Sequence, residues 1–379
     1  MINHYLEPYI KQSFNSVGLQ KGETLGDEVA FFDGRAGWFT NVAPKMVLVG
    51  VEESRNAFDN KSCDKAPAVI RQWLYSMRGF ADGSVICDAG NVRGNNVVDR
   101  YRALREVSSF FLKKNAVVIV LGGSQELTGS LIQALLPEQQ ELSVMVVDAM
   151  VDAGVSGDFS SRSWLSPELF SSTATRINLT VAGLQNFLVS NKETDFLAEQ
   201  NAEVLGLGQI RRELMQNIEV PFRDADLASI DFRVLANQPL SEGVLSPQGL
   251  DNYDACTMCR YAGLSDRLKI FGLFETPLAQ NIGDRNGWLA AQMIWHFMEG
   301  VSNRFNDYPV ASTDSYRSYM VAVNGLNEPL KFYQNPVNDR WWIVVGDNNG
   351  EEKLVACAST DYQRALQNEL PDKWWHYYV

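Results

Sequence analysis

The sequence predicts an α/β fold built on a mainly parallel sheet, followed by a small strand-rich C-terminal extension. Short apolar runs alternate with helically spaced segments from about residue 46 to about 305, the pattern of βα units whose strands are covered on both faces. Near residue 310 the texture changes: apolar runs are now separated by the turn-forming stretches NPVND and GDNNG instead of by helices, a hairpin signal. With 379 residues, 45% of them hydrophobic, the chain has enough apolar material for one large core plus an appendage.

The elements follow in order. MVLVGV (46–51) is the first strong strand, and APAVIRQWLYSM (66–77) follows as a helix with Ile70, Trp73, Leu74 and Met77 on one face. SVICDAG (84–90), the helix VVDRYRALREVSSFFLKK (97–114) and the strand AVVIVLGG (116–123) continue the alternation. SVMVVDA, INLTVAG, LASIDF and RLKIFGLFE are further strands, and GWLAAQMIWHFMEGVSNRF (287–305) is a long closing helix. The expected division is an N-terminal segment (1–44), an α/β domain (45–310) and a C-terminal α+β extension (311–379). Four of nine tryptophans, Trp341, Trp342, Trp374 and Trp375, fall in that extension. So much aromatic surface must be docked, on its own domain or on a protein partner.

Composition excludes several functions. A formal net charge of -13 argues against a nucleic-acid backbone or an anionic membrane as the main partner. MINHYLEPYIKQSF lacks the apolar core of a secretion signal, and no run approaches the length of a membrane span; a cytoplasmic protein is expected. Five scattered cysteines do not suggest a disulfide framework, and the single CTMC (256–259) has no second CxxC or histidine pair at zinc spacing. Cys256 and Cys259 are expected to be helix-face or core residues.

Open α/β sheets keep their chemistry at the carboxyl ends of the strands. Those ends here read GGSQELT after AVVIVL, DAMVDAG after SVMVV, IDFRVL after LAS, and Glu275 after IFGLF. In this order, preceded by LVGVEESRNAF, KAPAVIRQWLYSM and ICDAGNV, the segments resemble the ureohydrolase family of arginases, agmatinases and formimidoylglutamases over about residues 45–305. The resemblance implies a three-layer αβα fold, a homo-oligomer, and a site where two manganese ions bridge a hydroxide that attacks a guanidinium or formimino carbon. Its pattern has a histidine after Gly-Gly-Asp, then Asp-Ala-His-x-Asp, then Asp-x-Asp, then a glutamate facing the substrate. Here Gln125 and Met150 stand where the two histidines would be, and Arg233 stands where the last aspartate would be. Asp148, Asp152, Asp231 and Glu275 match. His4, His296 and His376 lie on none of these strand ends.

The two metal positions differ in what remains. Asp148, Met150, Asp231 and Arg233 would offer a hard ion a thioether and a fixed positive charge, so that position is expected to be lost. Gln125, Asp148, Asp152 and Asp231 could still hold one weakly bound Mg, Ca or Mn ion; no other cofactor is expected. Carboxylates about 4 Å apart repel by roughly 4 kcal/mol per pair at an effective dielectric near 20, so an empty cluster needs compensation. Arg233 is expected to bridge Asp148 and Asp231, a raised carboxyl pKa to supply a proton, and Met150 to fill the core. The expected function is a pseudoenzyme, a scaffold or regulatory partner using its aromatic extension. The alternatives are a hydrolase of amidino or formimino C–N bonds with one residual ion, and a guanidinium- or amine-binding module in which Glu275 grips the ligand.

Overall fold

Runs of aliphatic residues without polar alternation become strands buried on both faces. The computed structural model describes residues 2–378 apart from 12–17, 41, 155–158, 172–174, 213–215, 242–243, 279–282, 309–312 and 347–351. In chain order the strands before the extension are β1 (Leu6–Glu7), β2 (Ala30–Phe31), β3 (Met46–Gly50), β4 (Ile86–Val92), β5 (Val117–Leu121), β6 (Glu141–Val147), β7 (Arg176–Leu184), β8 (Glu203–Gly206), β9 (Leu227–Asp231), β10 (Gln238–Ser241), β11 (Val244–Ser246) and β12 (Ile270–Phe274). All but the small β10–β11 hairpin join one ten-stranded sheet of order β1-β4-β3-β5-β12-β9-β6-β7-β8, with β2 also on β4. Pairing is parallel throughout except for β1 on β4.

Helices cover both faces, and successive residues of one strand feed opposite layers. In β5, Ile119 and Leu121 join the core under α1 (Ala66–Leu74), whereas Val118 and Val120 join the core under α2 (Val97–Leu112) and α3 (Leu127–Leu135). On the first face also lie α4 (Gln216–Asp224), α5 (Asn252–Gly263) and α6 (Gly283–Ser302). The three-layer expectation therefore holds. Helices α5 and α6 approach closely because Gly263 and Gly300 face each other's backbone; a Cβ on either would collide with a carbonyl of the neighbouring helix. Cys256 and Cys259 lie on α5, and like Cys63, Cys87 and Cys357 elsewhere in the chain they are buried and free.

The structure adds strands that the pattern did not mark. β1 and β2 are only two residues long and tie the first 44 residues onto β4; two residues carry no periodicity. Among the described residues the extension holds β13 (Arg317–Val321), which the pattern did not mark, and then β14 (Leu330–Gln334), β15 (Trp341–Gly346) and β16 (Glu352–Cys357) along the apolar runs flanking the expected turns, antiparallel in that order, with α7 (Ser359–Leu366) and α8 (Asp372–Tyr378). The turn after β14 forms at NPVND, closed by Asp339 N donating to Asn335 O and Asn335 N donating to Arg340 O. The expected GDNNG turn falls mostly outside the described residues.

The extension is docked on its own chain through α4. Arg223 donates to the Trp341 and Cys357 carbonyls at 2.9 and 2.8 Å, and its guanidinium stacks on the Trp342 ring. Asp224 accepts from the Ala356 N–H at 3.0 Å. Lys353–Glu141 and Lys373–Glu203 ion pairs clamp it to β6 and β8. Trp341, Trp342 and Trp374 are buried, and only Trp375 of the four keeps half its surface exposed. Removing the largest ring from this joint opens a cavity, so Trp342→Ala is expected to cost about 3–5 kcal/mol in urea unfolding and to speed proteolysis within 313–378.

Candidate functional site

Sheet order, not sequence order, assembles the site. β5, β12, β9 and β6 are neighbours, so their carboxyl ends set Gln125, Glu275, Asp231 and Asp148 side by side. The Gly-Gly after β5 permits this convergence: a Cβ on Gly123 would collide with the Glu53 carbonyl. Ser124 N donates to that carbonyl at 3.0 Å, and Glu275 N donates to Gly123 O at 2.9 Å. Asp152 and Glu275 sit in the left-handed region, with φ of 52° and 56°. Backbone of this kind costs on the order of 1 kcal/mol or more for a residue with a Cβ and persists where surroundings hold it. Both strained residues carry carboxyls of the site.

Gln125, Asp148, Asp152, Asp231, Arg233 and Glu275 are all buried, none more than 3% exposed. Asp231 caps the turn that follows it, accepting from Arg233 N at 2.6 Å. That turn folds the Arg233 guanidinium back onto the same carboxylate. Its Nε lies 2.9 and 3.0 Å from the two Asp231 oxygens, and Nη2 bonds Asp231 and reaches Asp152 at 3.0 Å. Asp148 accepts from Met150 N at 3.0 Å through one oxygen; its other oxygen meets no fixed donor and shares a proton with Asp152 when Asp148 is protonated. Glu275 accepts from Gln125 N at 3.2 Å. Its second oxygen, Arg233 Nη1 and both amide atoms of Gln125 also lack partners.

These contacts set the protonation states. Burial first, then the charges of Asp231 and Asp152, push Asp148 well above the usual carboxyl range. Burial raises Asp152 to about 6 against the opposing pull of Arg233. It raises Glu275 to about 8. Arg233 is held firmly charged by Asp231 and Asp152 despite its burial. The ligating atoms of Asp148, Asp152 and Asp231 lie within 4.8 Å of one another, close enough for one cation to meet all three.

Residues 44–299 match the model of the arginase family. The chain belongs to the arginase family. A formimidoylglutamase of Halobacterium salinarum is similar to it, 24% identical over 272 residues, 67% of this chain and 87% of that protein. The solved formimidoylglutamase of Bacillus subtilis shares its fold at a TM-score of 0.64 and 18% identity, covering 78% of this chain and 97% of its own. Trypanosoma cruzi formiminoglutamase with two Mn2+ superposes at 0.62 and 17% identity, covering 69% and 94%. The agmatine ureohydrolase of Thermoplasma volcanium does so at 0.55 and 18%, covering 68% and 90%.

An arginase-family pair of Mn2+ ions can be tested against the donors present. Two ions do not fit: the three carboxylates share their space with a guanidinium, and no histidine of the described residues is near. His4 lies in the N-terminal turn, His376 on α8, and His296 on α6, partly exposed beside Glu299. One ion fits better. Asp148, Asp152 and Asp231 converge, one Asp148 oxygen is unpartnered, and Gln125, whose N–H meets Glu275, carries an unpartnered amide oxygen, all oxygen donors of the kind a hard cation takes.

Two expectations are corrected. Arg233 bridges Asp231 and Asp152, not Asp148 and Asp231, because the tight turn begun by Asp231 aims the side chain at the left-handed Asp152. Met150 is half-buried and not a core-filling residue; its N–H donates to Asp148.

Other site groups escaped notice. Glu126 is 1% exposed and its carboxyl is pushed up by burial; one oxygen accepts from Ser124 and Tyr101 at 2.7 and 3.0 Å, and the other is unpartnered. Asn60 donates to the Glu275 carbonyl at 2.9 Å. The acid directly after Gln125 was the available signal for the first. The second, 215 residues away, gave none.

Asp148, Asp152 and Glu275 bind their protons more tightly in the folded chain than in the unfolded one. Their contribution to stability is complete below the unfolded values of about 4 and fades as pH rises through the folded values. Between about pH 5 and 9, the ion-free protein is therefore expected to lose melting temperature in calorimetry. Asp152→Asn should flatten the part centred near the value of about 6.

Proposed function

We propose that this arginase-family protein is a hydrolase of amidino or formimino C–N bonds that works with a single divalent ion, the Arg233 guanidinium replacing a second. The observation that carries this reading is the buried aspartate triad, its ligating atoms within 4.8 Å of one another, together with an Asp148 oxygen and a Gln125 amide that meet no hydrogen-bond partner. A buried carboxylate oxygen and amide oxygen left unsatisfied cost about 1–3 kcal/mol each, and a cation that both ligate would remove that cost.

Gln125, Asp148, Asp152 and Asp231 would hold Mg, Ca or Mn. The bound ion would supply Lewis acidity, lowering the pKa of water. Everything else falls to the chain. Arg233 places a fixed positive charge beside Asp231 and Asp152 and so limits how much negative charge a bound ion must neutralise. Glu275 points an unpartnered oxygen from a strained, rigid position, suited to accept from the N–H of an amidinium. Burial excludes bulk water from all of them and strengthens each contact.

A second reading is favoured by the guanidinium itself. Arg233 already satisfies Asp231 and Asp152, and with Asp148 and Glu275 protonated the cluster keeps only a single net negative charge without any ion. In that state the protein is a pseudoenzyme, a scaffold or a guanidinium- or amine-binding module. The half-exposed Trp375 of the extension would then be the aromatic contact left for a partner.

Elemental analysis of the purified protein, together with assays of urea and formamide release from arginine, agmatine and formiminoglutamate, separates the two. One equivalent of metal is expected, with turnover reduced at least about 100-fold in Asp231→Ala, the scale on which removing a charge-stabilising group acts. Absence of both metal and turnover after loading with Mn2+ would leave the second reading standing.

A further inference from the structure

The opposite end of the main sheet carries a cavity of about 800 Å³, within the range of small-molecule sites. It opens where β5, β6, β9 and β12 begin, so the whole length of the strands separates it from the aspartate triad. Its floor is apolar, with Val117, Leu135 and Leu268 buried along it. Its rim holds four cations, Lys113, Arg267, Lys269 and Arg304, in a chain whose overall charge is -13.

The acids of this cavity are already committed. Asp226 accepts from Arg267 at 2.9 Å, pairs with Lys269 at 3.2 Å and caps Ser143 N at 3.0 Å. Asp266 takes the N–H groups of Asn306 and Asp307 at 3.1 and 2.7 Å. Glu141 is paired outward with Lys353 and with Asn178. Arg304 has no carboxylate partner among the described residues; its Nε and Nη2 donate to the carbonyls of Gly263 and Leu268 at 3.0 and 2.8 Å. Burial pulls its pKa down to about 10, against the longer-range pull of Asp266. Tyr308 accepts from Arg267 Nη1 at 3.3 Å, which leaves its own O–H proton to donate. Capping α5 at Gly263 occupies Arg304 Nε, and the Leu268 carbonyl before β12 occupies Nη2. Neither neutralises the charge.

We propose that this cavity binds a small organic anion, its oxyanion head taken by Arg304, Arg267 and Lys269 and its apolar body lying on the Val117–Leu135–Leu268 floor. Guanidinium pairs take planar and tetrahedral oxyanions alike, so a carboxylate and a phosphate monoester share the recognised chemistry.

Isothermal titration of the full chain with phenyl phosphate, benzoate, inorganic phosphate and benzyl alcohol tests the site. At least one aromatic anion is expected to bind saturably at a single site, at least about tenfold tighter than inorganic phosphate, while neutral benzyl alcohol does not bind. Which of phenyl phosphate and benzoate is tighter identifies the head group. Arg304→Gln should weaken binding at least about tenfold. Should that variant fold poorly, Lys113→Glu on the exposed rim should weaken it in the same direction. Asp231→Ala should leave it unchanged. No saturable binding by either aromatic anion, equal affinity in both cavity variants, or loss of binding in Asp231→Ala would each overturn the proposal.

Discussion

A guanidinium buried among carboxyls governs the centre of this molecule. Asp231, Asp152, Asp148 and Glu275 are brought together by adjacent strand ends, and their mutual repulsion in a poorly solvated interior would otherwise oppose closing the sheet around them. Arg233 satisfies two of them directly. The remaining two respond by holding protons. Charge at the site is thus regulated by a fixed internal cation plus titration, where the Trypanosoma cruzi relative was solved with two Mn2+. The unsatisfied oxygen of Asp148 and amide of Gln125 mark how far that regulation is incomplete, and they are the places where one inorganic ion would complete it.

Rigidity at the site comes from the sheet. Parallel pairing of β12 with both β5 and β9 fixes the spacing of Glu275, Gln125 and Asp231, and the glycine at 123 allows the loop after β5 to lie against Glu53. Within that frame two carboxyl-bearing residues are held at positive φ. Such strain is tolerated where neighbouring strands leave the chain no other path. It also means that the acids cannot relax apart, so their protonation must change instead.

The extension obeys a different logic. Its sheet buries one face on α7 and α8 and the other on α4, and its attachment combines stacked aromatics with ion pairs reaching β6 and β8. Lys353, which holds the extension to Glu141, thereby removes that acid from the balance of the cavity at the amino ends of the strands. Docking of the extension and the positive character of that cavity are two results of the same pairing. The family match spans residues 44–299, so Lys353 reaches from outside the matched residues to Glu141 within them.

Local pattern alone determined much of this. The unbroken aliphatic runs of β3, β5, β6, β9 and β12 announced a parallel sheet, the helical spacing announced its covering layers, and polar residues directly after four of those runs marked the site, because burial on both faces and exposure at strand ends are written in residue type. The short β1, β2 and β8 left no such mark. Nor could pattern decide which acid Arg233 reaches, that Met150 stays half-buried, that Glu126 and Asn60 join the site, or that the cavity at the far end collects four cations. Those outcomes depend on strand order and on turn geometry of single residues, which join positions up to 215 residues apart. Periodicity reports how a segment meets an apolar environment; only the folded sheet decides which charged groups must share one.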